Sequence, residues 1–223
     1  VFFYVYDYLD YTAMIKLENP TWEEMIEYRD ALIKSNDKLF QYVQDVPGVY
    51  LNLGCGWRDL RGFYNVDRYL KPGRVTPIEA DMFRLPFKSD STDLIFMCHS
   101  LEHLPIRQAV PTLKECYRVL KNGSKMIIEI PDLDIIMAIL LDQNLSDEQH
   151  RWFIYTLFGY QADSTAPDTP DVAIDYGQFH TNGFSKKRIH KQLLDIGFEV
   201  QELYSYEGYG TPGIRIDVIK TGL

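Results

Sequence analysis

A short apolar run, Val49-Tyr50-Leu51-Asn52-Leu53, meets Gly54-Cys55-Gly56 with no polar break between them. A run of this length reads as a buried strand. The two glycines let the backbone turn sharply and let a ligand approach it closely. In open α/β sheets, ligands bind beyond the carboxyl ends of strands, and these glycines stand at such an end.

The rest of the chain alternates strands with helices. Residues 63–67, 76–79, 92–98 and 125–130 read as further strands. A helix over 106–120 is ended by Lys121-Asn122-Gly123, and others follow over 133–143, 147–158 and 185–195. Residues 198–203 and 214–219 close the chain as strands with no helix between them, and so should pair antiparallel at a sheet edge. Such alternation predicts an α/β fold, a mostly parallel sheet covered by helices on both faces. Thr21-Trp22-Glu23-Glu24 starts a helix expected to run to about residue 44, within an N-terminal helical extension over 1–46. The main domain then covers 47–223, with 159–183 as a long loop of functional character.

A dinucleotide fingerprint requires a third glycine at position 59, which is Asp59. An acid there repels a pyrophosphate, which argues against NAD or FAD and for a nucleoside without phosphates. Asp67, ending the second strand, can accept both hydrogen bonds of a ribose diol. Asp81-Met82, after the third, offers a carboxylate and an apolar side chain to adenine. An adenosine with no phosphate and a positive sulfonium is S-adenosylmethionine. The formal charge of −9 (23 Lys and Arg against 32 Asp and Glu) suits that cation and, with no basic stripe in the sequence, argues against a nucleic-acid partner.

These blocks resemble class I S-adenosylmethionine-dependent methyltransferases. The resemblance rests on Leu51 to Gly56, on Asn65-Val66-Asp67, on Glu79-Ala80-Asp81-Met82 and on Leu85-Pro86-Phe87. It continues through Ser91 to Ile95, Ser100-Leu101-Glu102-His103-Leu104 and Glu115 to Ser124. It implies a Rossmann-like, seven-stranded, mostly parallel sheet whose last strand is antiparallel. It also implies cofactor contacts from Gly54, Cys55 and Gly56 to the methionine part, from Asp67 to the ribose, and from Asp81 and Met82 to the adenine. Cys98 and His99 would line the sulfonium side, and Asn52 and Arg68 belong to the same set.

Methylating an alcohol also requires a group that takes its proton. His180, near the end of the long loop, His103, and Asp132 after the fifth strand are the candidates. Asp132 reads equally as a helix cap. Asp132, Asp134 and the loop acids offer hard oxygen ligands for Mg²⁺ without recognisable ligand spacing, so no metal is expected. The segments 158–161 and 177–185 resemble, more loosely, methyltransferases of bacterial and viral surface-glycan pathways, often fused or adjacent to glycosyltransferases. That resemblance implies a sugar hydroxyl as acceptor, with Tyr176, Gln178, Gln161 and Asn182 as its contacts. A small metabolite or protein side chain is the alternative acceptor, and a non-catalytic interaction module the alternative class.

Cys55, Cys98 and Cys116 form neither a disulfide framework nor a metal knuckle, which favours a reducing, cytoplasmic location (the host's, for a viral protein). No apolar run reaches a membrane-spanning length. Val1 in place of an initiator Met fits processing or a domain cut from a longer polypeptide.

Overall fold

Tyr50–Leu53 (β1) is buried along its whole length, as a strand covered on both faces must be. The computed structural model describes residues 47–56, 58–69, 77–161, 174–208 and 210–222. The expected helix over 21–44 lies outside them. Three further strands follow: Tyr64–Asp67 (β2), Pro77–Glu79 (β3) and Thr92–Cys98 (β4). Ile106–Val119 is helix α1, Leu120–Pro131 is β5, Leu133–Leu140 is α2 and Asp147–Phe158 is α3. Lys186–Ile196 (α4), Phe198–Gly208 (β6) and Thr211–Lys220 (β7) complete the order. Leu101–His103 and Tyr176–Gln178 are single 3₁₀ turns.

The strands join in one sheet, in the order β3-β2-β1-β4-β5-β7-β6. β1 to β5 are parallel, and β7 runs antiparallel to both of its neighbours. The chain leaves β1 toward β2 and β3 on one side, then returns to lay β4 and β5 on the other. The carboxyl ends of β1 and β4 thus face a topological switch point, where a crevice opens.

Alternate strand residues feed two apolar layers. Leu51, Leu53, Ile95, Met97 and Ile128 pack with Leu113 and Cys116 of α1 and Ile189 and Leu193 of α4. Tyr50, Phe63, Leu94, Phe96 and Ile127 form the layer beneath the other face. The period of two in the strands meets the period near 3.6 in the helices, which fixes which side each helix covers.

Several boundaries differ from the sequence reading. α1 ends at Val119 because Leu120 is already extended (φ −63°, ψ 140°), and β5 begins there. The pairing then shifts between Thr92 and Leu94, and Gly123 (φ +78°) carries the excursion, so the glycine shapes a strand and not a helix end. The closing strands are also longer than expected. Tyr206 pairs with Gly213, and a Cβ on Gly213 would stand 2.6 Å from its ring. Gly208 and Gly213 lie within the strands and make room for this cross-strand aromatic, while Gly210 (φ +73°) is in the connecting turn.

Candidate active site

The first bank of the crevice is backbone. Gly54 has φ +66°, and a Cβ there would meet the Ser100 Cβ at 2.3 Å, so the position admits only glycine. The amides of Gly54 and Cys55 both donate to the Val66 carbonyl, at 2.8 and 3.1 Å. Gly56 (φ +53°) faces open space, and its amide donates to Asp67 Oδ2 at 2.8 Å. The Tyr69 amide donates to Asp67 Oδ1 at 3.2 Å. Arg68 Nε donates to Asp81 Oδ1 at 2.5 Å.

The second bank begins at the end of β4. Ser100 Oγ donates to the Leu53 carbonyl at 3.1 Å, tying β4 to β1 at the switch point. Cys98 Sγ donates to Glu129 Oε2 at 3.3 Å, and Arg215 donates to Glu129 Oε1 at 2.7 Å. His99 takes a left-handed backbone (φ +47°), unusual for a non-glycine residue and frequent at functional positions. Its Nδ1 lies 3.3 Å from Glu102 Oε1. Burial opposes ionisation of Glu102, yet the hydrogen bond and field of His99, with weaker help from His103 and His180, hold its carboxyl down at about 2.

The loop before α4 closes the third side. Its amides at Thr181 and Asn182 both donate to the Glu102 carbonyl, at 2.9 and 3.0 Å. The His180 amide donates to the Phe158 carbonyl at 2.9 Å. His180 Nδ1 lies 2.8 Å from the Thr156 carbonyl, and His103 Nδ1 lies 3.1 Å from the Phe179 carbonyl. A carbonyl only accepts, so each Nδ1 carries a proton, which puts the lone pair of a neutral ring on Nε2. The two rings meet edge to face, with centroids 4.7 Å apart.

Burial, opposed in part by the field of Glu102, pushes His180 down to about 4. It is neutral at pH 7. Below pH 6.5 the unfolded chain takes up a proton that the folded chain accepts only near pH 4, so stability falls as pH drops through that window. The expected loss is on the order of 1–3 kcal/mol. Melting temperatures of wild type and His180→Asn across the window check this. Parallel pH profiles would remove His180 as the source.

Together the three sides enclose a cavity of about 510 Å³. Of the expected cofactor residues, Gly54, Cys55, Gly56, Asp67, Arg68, Asp81, Met82, Cys98 and His99 line it. Asn52 does not. Its Nδ2 donates to the Arg58 carbonyl and to Asn65 Oδ1, both at 2.8 Å, beneath the crevice floor. Of the base candidates, His103 and His180 line the cavity. Asp132 is fully buried elsewhere and caps α2, with Oδ1 accepting from the amides of Asp134 and Ile135 and Oδ2 accepting from Ser205 Oγ at 2.7 Å. Asp132→Ala should cost about 1–2 kcal/mol in a denaturant titration. It should leave turnover per folded molecule unchanged, and a large fall in turnover would restore Asp132 as a base.

Tyr176 and Gln178 line the cavity, whereas Gln161 and Asn182 do not. Asn182 Oδ1 instead accepts from Arg188 Nη1 at 2.8 Å, holding the start of α4. The Gln161 carbonyl accepts from the Asp175 amide at 3.1 Å. The loop acids Asp163, Asp168 and Asp171 lie outside the described residues. The sequence reading missed Arg58, Ser100, Trp152, Thr156 and Thr211, which also line the cavity. Trp152 Nε1 donates to the Gly210 carbonyl at 2.9 Å, joining α3 to the β6–β7 hairpin. Tyr155 and Tyr160 stack with centroids 5.5 Å apart, and Trp152 meets Tyr160 edge to face.

A family model described as a methyltransferase domain matches residues 62–128. No curated protein matches the chain in sequence. Solved structures do match its fold. The 1,6-didemethyltoxoflavin-N1-methyltransferase of Burkholderia thailandensis, with 1,6-didemethyltoxoflavin and S-adenosylhomocysteine bound, is 12% identical at a TM-score of 0.54, over 90% of this chain and 86% of that one. Magnesium protoporphyrin IX methyltransferase of Synechocystis, with S-adenosylhomocysteine bound, is 15% identical at a TM-score of 0.54, over 90% and 88%. An S-adenosylmethionine-dependent methyltransferase of Methanosarcina mazei is 18% identical at a TM-score of 0.55, over 79% and 94%. Residues 62–128 are thus matched as a methyltransferase domain, set in the fold shared by S-adenosylmethionine-dependent methyltransferases.

Proposed function

We propose that this domain transfers a methyl group from S-adenosylmethionine to a hydroxyl oxygen of a carbohydrate. The residues present fit the donor. Gly56 leaves open the space a Cβ would fill, and each Asp67 oxygen accepts one backbone amide and keeps a lone pair for a ribose diol. Asp81 and Met82 border the same crevice, and Asp67 supplies negative charge to it while Asp81 is paired with Arg68. When bound, the donor supplies an electrophilic methyl carbon whose bond to sulfur breaks, with the electron pair staying on sulfur.

The observation that carries the acceptor reading is the third side of the cavity. Two imidazoles, each with Nδ1 held by a main-chain carbonyl, stand beside a wall of Trp152, Tyr155, Tyr160 and Tyr176. Aromatic faces take the apolar side of a sugar ring, and Gln178 offers it hydrogen bonds. Burial pushes the Tyr160 hydroxyl up to about 12, so that ring stays neutral. A neutral imidazole can receive the proton released when the acceptor oxygen attacks the methyl carbon.

The stacked wall also suits a planar small metabolite, which is the second reading. Calorimetry with S-adenosylmethionine tests the donor, and no binding overturns the enzyme. A transfer assay against sugars, glycans, small heteroaromatics and peptides tests the acceptor. Methylation confined to non-sugars overturns the carbohydrate. His180→Ala should lower turnover by on the order of 100-fold while changing donor affinity little. Equal turnover would take His180 out of the reaction.

A further inference from the structure

We infer that Glu102, His103 and His180 form a binding site for one divalent first-row transition-metal ion on the acceptor side of the cavity. One ligand atom from each of the three lies within 4.8 Å of the other two. This departs from the sequence expectation of no metal, which looked to Asp132, Asp134 and the loop acids. The role given to the ion rests on the methyl-transfer reading. The site itself does not.

Three independent features point to a cation. Glu102 is 1% exposed, the His99 ring approaches its Oε1, and its Oε2 has no hydrogen-bond partner among the described residues. A buried carboxylate oxygen without a donor is costly, and a metal ion removes that cost. Second, both histidines give their Nδ1 proton to a main-chain carbonyl, which leaves Nε2 as the ligand atom. Metal-bound imidazoles are held in this way, through the nitrogen that does not ligate.

Third, the segments bearing the ligands are tied to each other. Thr181 Oγ1 donates to the His103 carbonyl at 2.9 Å, and the amides of Thr181 and Asn182 donate to the Glu102 carbonyl. His103 in turn holds the Phe179 carbonyl. The 3₁₀ turn and the loop are thus fastened to each other, which holds the three ligands side by side.

Two imidazoles and one carboxylate favour Mn²⁺ to Zn²⁺ over Mg²⁺ or Ca²⁺, which prefer all-oxygen sets. Tetrahedral ligands at about 2.1 Å stand about 3.4 Å apart, so from separations of up to 4.8 Å loading draws these atoms together by at most about 1.4 Å. Because His103 and His180 line the cavity, the ion's remaining positions open toward the acceptor. With the ion bound, Nε2 of both rings is taken up as ligand, so the ion replaces the imidazole as the activating group: it would polarise a hydroxyl oxygen and lower its pKa, with the proton passing to solvent.

Co²⁺ is the probe, since bound Co²⁺ in a nitrogen and oxygen site absorbs in the visible. Titration of the whole chain, followed by absorption and by calorimetry, should show one ion per chain that Zn²⁺ displaces. Glu102→Gln and His180→Ala should each weaken binding at least tenfold, with circular dichroism and S-adenosylmethionine affinity kept. His150→Gln, on the surface of α3, should leave it unchanged. No Co²⁺ uptake, or uptake unaffected in both site variants, overturns the site. Full methyl transfer after chelation overturns the role and leaves the transferase reading standing. Failure to bind S-adenosylmethionine overturns that reading, while the Co²⁺ titration still decides the site.

Discussion

Turnover of the Gly159→Ala chain is expected to fall on the order of 100-fold while its affinity for S-adenosylmethionine holds. Gly159 follows α3 with φ 79° and ψ 167°, a backbone region that side chains essentially never occupy. A Cβ there would stand 1.8 Å from the Gln178 carbonyl oxygen and 2.8 Å from the His180 amide nitrogen. Both obstacles are backbone, so neither can swing aside. The returning arm must lift away from α3. His180 then loses its bonds to the Phe158 and Thr156 carbonyls, and Tyr176 and Gln178 leave the cavity with it. The three atoms nearest that Cβ all belong to Gln178 and His180, on the returning arm. Steady-state kinetics with calorimetry of the donor separates the two halves. Wild-type turnover would show that the arm is not part of the reacting site.

Asp67→Ala is expected to weaken S-adenosylmethionine binding at least 100-fold. The carboxylate would lose two charge-assisted hydrogen bonds to the ribose, each worth about 1.5–3 kcal/mol, and about 1.4 kcal/mol is tenfold in affinity. It would also release the Gly56 amide, which now donates to Asp67 Oδ2 at 2.8 Å and shapes the glycine turn. Asp67 lies at the strand end, half-buried and outside both apolar layers, so the melting temperature should move little. Calorimetric titration decides. An affinity within threefold of wild type would place the ribose elsewhere.

The first bank was legible in the sequence because its chemistry leaves few choices. Only glycine allows the chain to pass Ser100 at position 54, and the acid at the end of β2 holds the Gly56 amide and so fixes the glycine turn. The acceptor side was not legible to the same degree. Trp152 and Thr156 sit on a helix whose pattern reads as packing, and Thr211 reaches the cavity only because β6 and β7 run longer than their glycines suggest. Asp132 reads equally as base or cap, and burial beneath Ser205 decides for the cap. Glu102 and His103 are adjacent, but the loop must return across α3 to bring His180 beside them. No ligand spacing along the chain records that meeting.

The position of β7 has a consequence for biosynthesis. It is translated after every other described strand, yet it lies between β5 and β6, with nearly all its residues buried. Until residues 211–220 leave the ribosome, β5 has an unpaired edge and β6 has no partner. That edge carries Met126, Ile127, Ile128 and Ile130 in one short stretch. Such a nascent edge invites pairing with other chains. Yield in cells should therefore depend more on chaperones that shield this late-filled gap than on the stability of the finished sheet.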